Sequence, residues 1–117
     1  MSAVRSPMAS SIRDWKWSPA EKAIARRAFD LALSRELEAI ICEAQERAAR
    51  IGEAPKLWEL EHWLGERRRQ IDHSFDYRYS VLPQVFAARI RDGRLSENDL
   101  HGLDPGKLDA IHYMARS

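Results

Sequence analysis

The sequence predicts an all-α, elongated helical protein: a long N-terminal helix, a second helix and a small C-terminal helical head. Three observations carry this. From Pro19 to Ile51 there is no helix breaker, and Gly52 is the first residue suited to stopping a helix. Helix-start signals recur at Ser18-Pro19-Ala20-Glu21, Ser96-Glu97-Asn98-Asp99 and Asp104-Pro105. β-branched residues are sparse, and no credible strand or internal repeat is found.

Ser18 is placed to cap the first helix, with Glu21 closing a capping box and Pro19 at a position where it has no donor to lose. Phe29, Leu33, Leu37, Ile40, Ile41, Ala44, Ala48 and Ile51 recur at spacings of three and four, forming one apolar stripe. A helix from Ser18 to Gly52 would be about 48 Å long, whereas a compact domain of this size has a radius of gyration of about 13 Å. Either the helix is broken or a second chain covers the stripe. The second is the expectation, with Phe29, Leu33, Leu37, Ile40, Ile41 and Ala44 as the homodimer interface.

Glu53-Ala54-Pro55 reads as a turn into the second helix, whose expected core stripe is Leu57, Leu60, Leu64 and Ile71. Trp58, Glu61, Gly65, Arg68 and Asp72 lie on an offset face. Ser80 can cap a third helix with Pro83 in its first turn, and Val85, Phe86, Ala88 and Ile90 are its expected buried side. Asp92-Gly93 ends that helix. Ser96 opens a short one to about His101, and Asp104-Pro105 opens the last, with Leu108, Ile111 and His112 or Met114 facing inward. The long helices then occupy 18–79 and the head 80–117, within one domain at 15–117. Residues 1–14, rich in Ser and Ala and without periodicity, read as a flexible tail.

Composition narrows the function. The chain has 117 residues, one domain's worth. It carries 19 basic and 18 acidic residues, so no overall field steers it to nucleic acid or to a membrane surface. The single cysteine, Cys42, excludes an internal disulfide; amid Ile40 and Ile41 it reads as a buried thiol. No apolar run reaches membrane-spanning length, no signal-peptide core opens the chain, and the expected location is cytoplasmic. His73, His101 and His112 lack metal-ligand spacing, and no carboxylate pair, nucleophile–base set or phosphate loop can be assembled. No catalytic residue, metal or cofactor is expected. Arg89, Arg91 and Arg94 around a helical turn faintly suggest a DNA-binding regulator, but Asp92, Glu97, Asp99, Asp104 and Asp109 in the same region oppose it.

The most informative segment runs from Trp58 to Ser80. Tryptophans and arginines on one short helix are the residues that dominate protein–protein hot spots. Trp58 reads either as a core or interface tryptophan or as a partner anchor. Three consecutive residues span about 300° of a helix, so Arg67, Arg68 and Arg69 cannot all serve one site. Arg68 is read as the one that shares a face with Trp58 and Asp72. It reads as a bidentate ligand for a partner carboxylate, or as half of an Arg68–Asp72 pair within the helix. Tyr77-Arg78-Tyr79 is a weak signal for base stacking.

The run Gln70-Ile71-Asp72-His73-Ser74-Phe75-Asp76-Tyr77-Arg78-Tyr79-Ser80 resembles the signature of the fluorescence recovery protein family. Leu57-Trp58-x-Leu60 upstream and Leu100-x-Gly102-Leu103-x-x-x-Lys107-Leu108 downstream fit the same family in the same order, and the resemblance covers roughly 17–115. It implies an antiparallel helical dimer and a non-enzymatic regulator that binds the activated orange carotenoid protein and speeds its return to the inactive form. It further implies partner-binding roles for Trp58 and Arg68, with Glu61, His62 and Asp72 as a polar rim, and packing roles for Tyr77 and Tyr79. The chain departs from the family at Glu61-His62, where the acid precedes the histidine rather than following it. It also has Gln84 and Ala110 where the family tends to have an aromatic and a lysine. A helical interaction module with a different protein partner, in an organism lacking the carotenoid protein, is the alternative these departures suggest.

Overall fold

A computed structural model describes residues 12–117. Four α-helices run along them: α1 (Pro19–Ala49), α2 (Ala54–Ser74), α3 (Leu82–Arg91) and α4 (Pro105–Arg116). Short 3-10 turns occupy Ile12–Asp14 and Glu97–Leu100, and no strand occurs among the described residues. Most of the expected tail lies outside them, but Ile12 is already buried.

The start of α1 follows the sequence signal. Ser18 Oγ accepts from Glu21 N–H at 3.1 Å, and Glu21 Oε1 accepts from Ser18 N–H at 3.0 Å. Its end does not. The helix stops at Arg50, whose N–H bonds to the Arg47 and Ala48 carbonyls, and Gly52 keeps a negative φ because that tightened last turn needs no left-handed residue. α2 ends at Ser74, short of the expected 79. Beyond it Phe75, Tyr77 and Tyr79 point inward, while Asp76 and Arg78 pair with each other outside. Val81, not Ser80, precedes α3. A backbone turn in which Val81 and Leu82 N–H both donate to Arg78 O stands where a side-chain cap was expected.

The core surrounds the N-terminal half of α1, where Ala25, Ala28 and Ala32 let other elements approach closely. Leu82 and Phe86 of α3, Leu95, Leu100, Leu103 and Ile111 of α4 close over it. Each such side chain contributes about 1.5–3 kcal/mol when buried. Phe29 is only 6% exposed; it lies edge-on to Phe75 at 5.7 Å and to Tyr77 at 4.9 Å. Trp17 and Tyr79 extend that aromatic chain at 5.5 Å. On α3 the inward face is set one residue off expectation at Ala87, which is buried where Ala88 is half-buried. Arg94 Nε donates to Glu36 Oε1 at 2.7 Å, and Arg35 Nη1 to Asp99 Oδ2 at 3.0 Å, tying the head to the middle of α1.

Beyond Glu36 the molecule becomes a two-helix arm. Its radius of gyration is 18.0 Å and its extents are 68 × 25 × 22 Å. No residue of α2 is buried, so Leu57, Leu60, Leu64 and Ile71 are not a core stripe within the protomer. Cys42 is exposed rather than buried, because nothing else among the described residues covers that side of α1.

Candidate functional site

The arm presents two apolar faces. On α1, Leu37 is 43% and Ile41 55% exposed, while Ile40 and Ala44 are half-buried. Leu33 packs against the head core. Phe29 departs from the expected interface altogether: the head wraps this half of the helix and takes Phe29 into its own core. The stripe is continuous in sequence, but its two halves meet different surroundings.

On α2, the spacing 57, 60, 61, 64 puts Leu57, Leu60, Glu61 and Leu64 beside Trp58 around an almost wholly apolar groove of about 250 Å³. Trp58 is 61% exposed, a large apolar surface for an unpartnered helix. The sequence reading placed the three leucines in a core and so missed the groove. The available signal was that one protomer has no further long helix to cover α2.

Around the groove the polar residues divide by environment. His62 Nε2 is 3.6 Å from Glu66 Oε2, and Arg69 Nη2 is 3.0 Å from the same oxygen, so both are drawn to Glu66. Arg67 turns toward the head, its guanidinium 6.0 Å from the Trp63 ring. Arg68 is exposed and makes no ion pair among the described residues. The i, i+4 pair with Asp72 is not formed, leaving Asp72 exposed as well. Arg68 lies ten residues from Trp58, about 15 Å along the axis, and Asp72 one turn further. Glu61 and His62 are exposed beside the tryptophan. An apolar groove followed by an unpaired guanidinium can dock an apolar side chain and orient a carboxylate. In the head, Gln84 is exposed on α3, whereas Ala110 is buried on α4 at 5% exposure.

Glu21 is the most perturbed carboxyl. Burial opposes its ionisation, but the Lys107 ammonium, with the N–H groups of Ser18 and Asp104, outweighs that and holds it at about 2. Lys107 Nζ lies 2.7 Å from Glu21 Oε1, donates to Lys16 O, and sits 4.9 Å from the centre of the Trp17 ring. Every partner is internal, so this cluster fastens the head to α1. Tyr77 is pushed up to about 12, by burial first and then by Tyr79, in keeping with a packing role.

No helix among the described residues is long and apolar enough to cross a membrane. Comparison with known proteins agrees with the helical order. The family described as photoprotection regulator fluorescence recovery protein matches residues 17–115. The fluorescence recovery protein of Synechocystis sp. (strain ATCC 27184 / PCC 6803 / Kazusa) is 34% identical over 100 residues, spanning 86% of this chain and 92% of its own length. The solved fluorescence recovery protein structure from Fremyella diplosiphon has a TM-score of 0.82 at 39% identity, and that from Synechocystis sp. PCC 6803 has 0.82 at 33%. In both cases 87% of this chain and 100% of the solved chain are covered. With nearly full-length agreement in sequence and fold, the chain belongs to the fluorescence recovery protein family of photoprotection regulators.

Proposed function

We propose that the chain is a homodimeric, non-enzymatic regulator that binds a light-activated orange carotenoid protein and accelerates its return to the inactive form. The observation that supports this most directly is the exposed Trp58 groove with an unpaired Arg68 on the same helix, in a chain of this family. Trp58 anchors an apolar side chain of the partner, Arg68 directs a carboxylate, and Glu61, His62 and Asp72 form the rim. No bond is made or broken. The regulator works as a scaffold, holding the partner's separated domains so that the route back is bound better than the activated state.

Dimerisation belongs to the same reading. Leu37, Ile40, Ile41 and Ala44 form a stripe that a second copy of α1, running antiparallel, covers by two-fold symmetry. The order Glu61-His62 and the residues Gln84 and Ala110 favour a second reading, in which the same surfaces serve a different protein partner. Mixing the dimer with light-activated carotenoid protein and timing its absorbance recovery in the dark separates the two. Faster recovery with increasing regulator supports the first; an unchanged recovery rate at equimolar regulator rejects it in favour of the second.

A further inference from the structure

The junction of arm and head holds a second polar site, facing away from Arg68. A cleft of about 240 Å³ opens there between α1, α2 and α3, with Glu36, Arg67, Gln70, Arg89, Asp92 and Arg94 among its walls. Arg89 is fully engaged: its Nη2 is 2.8 Å from Asp92 Oδ2, and its Nη1 donates to Ser74 O at 2.8 Å. Arg94 Nε is paired with Glu36 Oε1 at 2.7 Å. Both carboxylates are therefore committed. Arg67 has neither an ion pair nor a hydrogen bond at Nε among the described residues, although that atom is buried. Three guanidinium groups against two carboxylates leave one net positive charge in the walls.

We propose that this cleft binds a single carboxylate-type oxyanion, with Arg67 as its principal ligand and Arg94 beside it. The Nη groups of Arg67 are not buried and make no hydrogen bond among the described residues, so an oxyanion in the cleft can accept from them and supply the compensating charge. The guanidinium fork fits two oxygens of a planar carboxylate or of a phosphate. The C-terminal ends of α2 and α3 also border the cleft, and bare helix carbonyls there would repel an anion. They are not bare. Arg89 takes the Ser74 carbonyl, and the N–H groups of Asp92, Gly93 and Arg94 take those of Ala88, Ile90 and Arg89. The oxyanion can be a free ion or an acidic side chain. The site is independent of the Trp58 face, since Arg67 lies about 100° around α2 from Arg68.

The test is titration of the ¹⁵N-labelled chain at constant ionic strength, following the arginine Nε–H signals. Sodium phosphate, sodium acetate and N-acetylglutamate amide are the probes, and sodium chloride is the control. The proposal requires saturable shifts at Arg67 and Arg94, with Arg26 and Arg69 unmoved. Arg67→Gln should weaken binding at least about tenfold, as expected for loss of a charge-assisted contact, and Arg94→Gln less. Saturation by phosphate and acetate identifies a site for free oxyanions. Saturation by N-acetylglutamate amide alone identifies one for an acidic side chain. Shifts that are uniform over all arginines, or an Arg67 signal that does not move in the wild-type chain, overturn the proposal without recourse to any variant.

Discussion

Replacing Glu21 by Gln should destabilise the head by about 3 kcal/mol at neutral pH. The figure follows from two routes. The carboxyl falls from 4.5 to about 2 on folding, and at 1.36 kcal/mol per pKa unit this corresponds to about 3 kcal/mol of stability. Independently, removing one partner of a buried ion pair costs about 3–5 kcal/mol, because the other charge is left uncompensated. Here that charge is Lys107, whose side chain is 10% exposed and therefore little screened. The pKa is depressed in the folded state, so the contribution is complete above pH 4.5 and is lost as pH falls toward 2. The difference between wild type and Glu21→Gln should shrink over that window. Urea denaturation followed by circular dichroism, at fixed chain concentration, measures it. Lys107→Met should also destabilise, and the double variant should lose less than the two single losses together. Equal stability of wild type and Glu21→Gln at pH 7, or a difference that persists undiminished at pH 2, would refute the reasoning.

Other expectations are shorter to state. Leu37→Glu and Ile41→Glu place an unpaired charge in the proposed interface at a cost of several kcal/mol, so light scattering at micromolar concentration should show dimers of the wild type and monomers of both variants, with helicity retained. Phe29→Ala should instead lower the melting temperature of the head, with a loss of about 3–5 kcal/mol, because Phe29 is buried within the protomer. Gly102 has φ +106°, and an added Cβ would lie 2.6 Å from Ile24 Cδ1. Ile24 can move aside, but the backbone strain remains, so Gly102→Ala should cost about 1–3 kcal/mol in thermal denaturation.

The sequence was most legible where structure is local. The capping box at Ser18, the Ser96–Asp99 turn and the Asp104 cap are set by residues within one helical turn, and all form as read. It was least legible where the outcome depends on which element covers which face. A spacing of three and four marks Phe29 and Ile41 alike, yet one is core and the other exposed, because only the head reaches the first half of α1. The same ambiguity put Cys42 and the α2 leucines inside. The end of α2 was legible but missed: Phe75-Asp76-Tyr77-Arg78-Tyr79 alternates apolar with charged, the pattern of an extended segment rather than a helix. In the candidate site, counting puts Arg68 about 80° and Arg69 about 20° around α2 from Trp58, so the helix period alone does not single out Arg68. That Arg68 stands unpaired while Arg67 and Arg69 have other surroundings required the packing of the head and the position of Glu66.

The most direct test of the account is the dark recovery of light-activated carotenoid protein with Arg68→Leu, compared with Arg67→Leu and Arg69→Leu. Arg68 is exposed and makes no ion pair or side-chain hydrogen bond among the described residues, so its loss should abolish the acceleration while leaving helicity and dimerisation intact; a charge-assisted interface contact of this kind is worth about 2–5 kcal/mol. Arg67→Leu and Arg69→Leu should retain most of the activity. Equal loss from all three would indicate diffuse electrostatics in place of a directed contact, and an Arg68→Leu chain that accelerates recovery as well as wild type would contradict the account.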